Sequence, residues 1–278
     1  PLLAILAPLP AYWLISGLFH LLDISNWSCL DRYRINDSAE ISSRNRATRL
    51  QVFRAVILQQ VLQTVLGYFW VSEAPERVDH VAAMARISRT LSSFFFAPLF
   101  SPSHDDSYAL LALLKNTTPQ LAYLLYWWLI PAAQLLVAMV VLDTWQYFLH
   151  RAMHINKFLY KHLHSVHHRL YGFILDSLGA MLAEAVSRLS PRQATLFFVL
   201  STCKTVDDHC GYRLPFDPLQ LFSGNTADYH DIHHQIIGIK SNFSQPWFVH
   251  WDVILGTRMT RQTLKYAVKK SRLLYAPV

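Results

Sequence analysis

Charge is scarce in this chain of 278 residues: Asp, Glu, Lys and Arg make up 15% of it, against 53% hydrophobic residues. Soluble domains carry about 25% charged residues, so the composition argues against a water-facing surface. With 8 Trp and 13 Tyr it fits membrane spans flanked by interfacial aromatic belts. Cysteine is scarcer still. Cys29, Cys203 and Cys210 have neither a zinc-motif spacing nor the even count of a disulfide framework, and nothing calls for an oxidising compartment. The formal net charge is +7, yet Lys and Arg are scattered without a long basic run. That argues against nucleic acid as a partner and for an anionic membrane surface. There is no Gly-rich phosphate loop, no nucleophile elbow and no His-Glu-x-x-His sequence, and no cleavable signal peptide is expected.

Histidine is what the chain has instead. Six of its 14 histidines fall within residues 150–168. On a helix, His150 and His154 stand at i and i+4, one turn apart on one face. His164, His167 and His168 stand at i, i+3 and i+4, as do His230, His233 and His234, which predicts one face for each trio. A lone His-x-x-x-His is more often a polar surface feature. Three boxes in order point to metal, for which neutral imidazole is the commonest ligand. Eight imidazoles exceed the four ligands of one tetrahedral ion, so two ions sharing the set is the economical reading. Imidazole suits Zn, Fe, Cu and Ni alike, and spacing does not choose among them. His209 is either a ninth ligand or a donor to one. Asp231, inside the third box, either holds an imidazole tautomer from outside the coordination sphere or is a solvated carboxylate. His20, His80, His104, His162 and His250 are read as non-ligands.

Three segments are long enough to cross a bilayer, which takes about 20 apolar residues. Residues 2–22 are nearly all apolar, with Pro8 and Pro10 predicting a late helix start or a kink. Residues 52–71 are interrupted by Gln59, Gln60 and Gln63, amides that find partners inside a bundle; an amphipathic helix on the membrane surface is the alternative. Residues 121–142 are the clearest span, with Pro131 as its expected kink. Residues 173–186 and 194–203 are each short for a span and predict a hairpin that enters and leaves on one side. The arginines of residues 23–50, with Arg151, Lys157, Lys161 and Arg169, place the histidines in the cytosol by the positive-inside tendency, and residues 72–120 on the lumenal side. The expected fold class is therefore an all-α integral membrane helical bundle with a cytosol-facing, histidine-rich di-metal site. Residues 1–120 would supply N-terminal membrane helices and a lumenal connection, and residues 121–278 one integrated unit with the three boxes. A metal there, beside apolar helices, suits a lipid whose head stays in water, and a redox metal can activate oxygen against a C–H bond. A metal-ion transporter would want ionisable residues inside its spans, and residues 121–142 have none.

The box spacing resembles that of the fatty acid hydroxylase superfamily of membrane di-iron enzymes. Within it, Trp145-Gln-Tyr-Phe-Leu-His-Arg-Ala-Met-His154, Lys204-Thr-Val-Asp-Asp-His-Cys-Gly-Tyr212 and Tyr229-His-Asp-Ile-His-His-Gln235 resemble the fungal sphinganine C4-hydroxylases, as do Asp217-Pro-Leu-Gln220 and Gly238-Ile-Lys240. The resemblance implies hydroxylation at C4 of sphinganine, as free base or ceramide, giving phytosphingosine-type bases for sphingolipid biosynthesis. It implies two Fe ions, O2, and electrons from NAD(P)H through a cytochrome b5-type donor, with the protein multi-pass in the endoplasmic reticulum membrane and its boxes cytosolic. One departure stands out. After the second box, relatives carry a segment with an Asn-His-Pro tripeptide, whereas here His168-Arg-Leu-Tyr171 runs directly into Gly172-Phe-Ile-Leu-Asp176. Three readings stay open: a C4-hydroxylase impaired by that loss, a catalytically inactive relative that binds lipid or a partner protein, and a sterol- or fatty-acid-directed oxygenase with the same boxes.

Overall fold

The computed structural model describes residues 2–25, 27–36, 47–70, 78–96, 116–164 and 174–274, and among them the protein is all-α. In chain order the helices are α1 (Leu2–Leu6), α2 (Pro8–Ile24), α3 (Ser28–Asp31), α4 (Arg49–Trp70), α5 (His80–Phe96) and α6 (Asn116–Ile155). After them come α7 (Lys157–Leu159), α8 (Ile174–Ser187), α9 (Pro191–Asp208), α10 (Pro218–Leu221), α11 (Ala227–His234), α12 (His250–Ile254) and α13 (Arg261–Leu274). Residues 1–72 and 138–278 form one compact unit and residues 73–137 a second, with the boundary inside α6.

Three stretches are long and apolar enough to cross a membrane: Leu2–Ile24, Arg49–Trp70 and Asn116–Ile155. Leu14 is 72% exposed and Leu58 61%. Helices apolar on all sides belong in lipid, and this is a membrane protein. The starts of the helices are written locally. Pro8 opens α2, where its missing N–H is no loss. Thr48 and Gln51 form reciprocal bonds before α4, Thr48 N to Gln51 Oε1 at 2.9 Å and Gln51 N to Thr48 Oγ1 at 3.3 Å, a capping box. In α6 the turn Leu125–Leu129 is a π-helix, with the Ile130 N–H bonded to Leu125 O, five residues back. Pro131 cannot donate to a carbonyl and crowds the preceding turn, and the wider turn accommodates it.

Within the first unit, α9 packs along α2 and against α1, and α8 packs against α4. Trp13 Nε1 donates to Gln60 Oε1 at 3.0 Å, so α4 lies inside a bundle rather than alone on a surface. The two segments expected to form a hairpin are α8 and α9, joined through Arg188 with φ 51° and the Ser190–Gln193 capping box; α8 packs on α4, and α9 on α1 and α2. Tyr33 to Ile35 pair with Gly211 to Arg213 through Ile35 N to Gly211 O at 3.0 Å and Arg213 N to Tyr33 O at 2.8 Å. Tyr212 OH donates to Asp23 Oδ1 at 2.8 Å, which ties the end of α2 to the segment following α9. Within the second unit, α5 packs on the π turn of α6, and His80 Nδ1 and Tyr126 OH are 2.7 Å apart.

Candidate metal centre

α6 continues as a helix past the apolar segment and carries His150 and His154 one turn apart, ring centroids 5.0 Å from each other. Asn156 then caps α7, its side chain accepting from Phe158 N and Leu159 N. The π turn Tyr160–His164 that follows returns His164 to the same place, 4.3 Å from His154 and 4.7 Å from His150 by ring centroid. α11, capped by Thr226, adds His233 at 4.4 Å from His150 and 4.6 Å from His154. Each of these four rings offers a nitrogen within 4.8 Å of the others.

A second group lies on the other side of α11. His209 caps the C-terminus of α9, and His230 and His234 stand one turn apart. His230 Nε2 is 2.9 Å from His209 Nε2 and 3.0 Å from His234 Nε2. Nitrogens bound to one ion at roughly 2.1 Å stand about 3.0 Å apart at a right angle and about 3.4 Å apart at the tetrahedral angle. The three rings therefore fit adjacent corners of one coordination sphere. His230 and His233 centroids are 5.8 Å apart, so the two groups are neighbours.

The third box does not present one face, as its spacing predicts. At 3.6 residues per turn, His233 and His234 diverge by about 100° around α11, so His233 joins the first group while His230 and His234 join the second. Of the nine expected ligands, seven fall into these two groups. His167 and His168, with His104, lie outside the described residues. His20, His80, His162 and His250 belong to neither group.

The rings are oriented by backbone carbonyls. Phe243 O accepts from His150 Nδ1 at 2.9 Å, Ser241 O from His233 Nδ1 at 2.7 Å and Thr205 O from His209 Nδ1 at 2.8 Å. A carbonyl can only accept, so each Nδ1 carries the proton and Nε2 is left as the ligating atom. Burial, then the neighbouring imidazoles, hold the pKa of His233 well below its usual value. The direction favours the neutral ring that a ligand must present.

The loop that supplies two of those carbonyls is held by residues the sequence reading passed over. The buried Asp252 carboxylate accepts from Phe243 N at 3.0 Å, Ser244 N at 2.8 Å, Tyr229 OH at 2.9 Å and Thr257 Oγ1 at 2.6 Å. Asn242, at φ 54°, donates to Tyr229 O and Met259 O and accepts from Met259 N. Asp143 of α6 accepts from Trp247 N at 3.1 Å and Phe248 N at 2.6 Å. A carboxylate inside an apolar-aromatic run, as Asp252 is, was the available signal. Among the described residues Asp231 accepts from Asn36, Gln235 and Arg261. It ties α11 to α13 and to the segment after α3. Beneath His209, Lys204 pairs with Asp208 in the interior and Asn225 Nδ2 donates to Asp208 Oδ2 at 2.9 Å. Burial pushes the Asp208 carboxyl up to about 6, against the opposing pull of Lys204.

A cavity of about 470 Å³ runs between α2, α4, α8 and α9 and reaches His209. An amphiphile-sized cavity that meets a two-part, all-histidine centre in a membrane helical bundle defines a class of membrane metalloenzyme. The chain belongs to the fatty acid hydroxylase family, whose model matches residues 135–257, a span holding both histidine groups. It is 40% identical over 272 residues to the sphingolipid C4-hydroxylase SUR2 of Saccharomyces cerevisiae, covering 92% of this chain and 71% of that one. It is 39% identical to sphinganine C4-monooxygenase 2 of Arabidopsis thaliana, over 90% of this chain and 85% of that one. A rice very-long-chain aldehyde decarbonylase, GL1-9, is 37% identical, over 91% of this chain and 86% of the relative. No solved structure matches the chain.

Proposed function

We propose that the protein is a membrane di-iron oxygenase that hydroxylates C4 of sphinganine to give phytosphingosine-type bases. The observation that carries this reading is the pair of imidazole groups, four and three, meeting at α11 beside a lipid-sized cavity. The yeast and Arabidopsis relatives, named for that reaction, supply the substrate. His150, His154, His164 and His233 would hold one iron and His209, His230 and His234 the other, with His167 and His168 as further ligands. When bound, the irons supply activation of O2 for insertion of an oxygen atom into an unactivated C–H bond, which no side chain performs. The chain's own residues do the rest. Phe243, Ser241 and Thr205 fix the rings, neutral His233 stays ready to ligate, and the cavity wall holds the alkyl chain away from water. Arg151, Lys157 and Lys161, close in sequence to the first group, favour the cytosolic side of the endoplasmic reticulum membrane. Electrons would come from NAD(P)H through a cytochrome b5-type donor docking there.

Expression in a yeast lacking its own C4-hydroxylase tests the reading: mass spectrometry should find C4-hydroxylated long-chain base, and the purified chain should carry two irons. Product hydroxylated elsewhere, or a shortened aldehyde-derived hydrocarbon, would overturn it. A second reading, an inactive relative, has one observation behind it. The alignment with the yeast relative runs over 272 positions although only 92% of these 278 residues enter it. The relative therefore contributes positions without counterpart here, in keeping with a segment missing after Tyr171. Absence of product from an iron-loaded chain would favour that reading.

A further inference from the structure

The cavity wall mixes apolar residues, among them Ala4, Ile5, Gly67, Trp70 and Met181, with polar ones that include Gln59, Gln60 and Gln63 of α4 and Gln146, Asp176, Thr202, Gln245 and Thr205, the last bonded to His209. Asp176 lies in the first turn of α8. Trp145 Nε1 donates to Leu175 O at 2.9 Å and fixes that turn against α6. Gln146 stands within hydrogen-bonding reach of Asp176, and Gln245 Nε2 donates to Gln146 Oε1 at 3.3 Å. No Lys or Arg pairs with Asp176 among the described residues. A carboxylate that lines a cavity among membrane helices is costly to desolvate unless a cation meets it, and such residues mark ligand sites. Gln146 is one turn before the candidate ligand His150 on α6, about 6 Å along the axis at 1.5 Å per residue. α4 lines the cavity from Val52 to Trp70, through Val56, Gln59, Gln60, Gln63, Thr64 and Gly67, about 27 Å of helix alongside which the alkyl tail can lie.

We propose that Asp176, oriented by Gln146 and Gln245, is the binding point for the ammonium group of a free long-chain base, so that the cavity selects the free amine over its N-acylated form. The inference rests on the functional reading above. N-acylation removes the positive charge and adds a second chain at the position where the carboxylate sits. Thr202 and Thr205, two members of the polar wall, offer hydroxyls to the C1 and C3 alcohols of the same head.

Equilibrium binding of sphinganine and N-acetylsphinganine to the detergent-purified, metal-loaded chain tests this, with C4-hydroxylated product measured alongside. A charge-assisted contact predicts that the wild type prefers sphinganine by about ten-fold or more, and that Asp176→Asn loses that preference by weakening sphinganine alone. Asp176→Glu, which keeps the charge, should retain it. A wild type that binds both lipids equally overturns the proposal whether or not the variants fold, and so does an Asp176→Asn protein that still prefers the amine. C4-hydroxylated product without a binding preference overturns the ammonium site alone. A binding preference with product at another carbon overturns the C4 reading and leaves the ammonium site standing.

Discussion

Replacing Asp252 by Asn should loosen the metal centre without touching a ligand. The carboxylate is fully buried and accepts four hydrogen bonds, two from the backbone of the Phe243–Ser244 loop and two from the hydroxyls of Tyr229 and Thr257. Hydrogen bonds to a charged group contribute about 1.5–3 kcal/mol each. Asn keeps the shape but offers one acceptor oxygen, and turns its NH2 group towards one backbone N–H, which cannot accept, and one hydroxyl, which must reverse its own bond to do so. One or two bonds are lost and a buried N–H is left facing another donor, a loss on the order of 3 kcal/mol. The Phe243 carbonyl then no longer fixes His150, and the neighbouring Ser241 carbonyl no longer fixes His233. Loss of such an outer partner lowers metal affinity by about 10–100-fold. The assay is iron per chain after dialysis against a graded chelator, with thermal unfolding recorded in the same detergent. Tyr229→Phe removes one of the four bonds to the charged group and should cost about 1.5–3 kcal/mol. Asp231→Asn should keep the metal, because Asp231 meets Arg261, Gln235 and Asn36 and no ring. An Asp252→Asn protein that melts earlier yet holds both ions at wild-type affinity would refute the reasoning, since the loop would then be structural only.

His233→Ala should empty the first group and His209→Ala the second, so each variant is expected to retain a single iron per chain by elemental analysis; unchanged content in either would remove that residue from the ligand set. His162→Ala should leave both iron content and activity intact, because the ring belongs to neither group. A Cβ at Gly238 would overlap the carbonyl oxygen of Ile232, so Gly238→Ala should push the end of α11 aside, lower stability by about 1–3 kcal/mol in a melt and shed metal with it. Inserting the relatives' segment between Tyr171 and Gly172 should raise turnover of sphinganine in yeast; equal turnover would mean that this chain closes its site without it.

The spans were legible because hydropathy is a composition signal. Residues 2–22 and 52–71 emerge as Leu2–Ile24 and Arg49–Trp70 within a few residues. The third, residues 121–142, lies inside a longer helix that runs from Asn116 to Ile155. The sequence turns polar at Asp143, Thr144 and Gln146, and that polarity faces inward: Asp143 and Gln146 are buried and Thr144 accepts from Trp251 Nε1 at 3.0 Å. Hydropathy ends where the helix begins to serve the site. α9 likewise outlasts its apolar segment, because Lys204 and Asp208, i and i+4, neutralise each other in the interior. In both cases a sequence window registers a polar residue and not the partner that makes its burial tolerable.

The third box was legible as chemistry and misread as geometry. An i, i+3, i+4 trio looks like one face, since each pair taken with the first residue is one turn apart. The last two members are adjacent residues, however, and adjacent residues on a helix cannot point the same way. His230, His233 and His234 are consequently a bridge: a single two-turn helix, held at one end by the Thr226 cap, gives one ring to the first group and two to the second. Under the di-iron reading this sets the spacing of the two ions by a rigid backbone rather than by loops, which is what preorganisation of a shared reaction site requires.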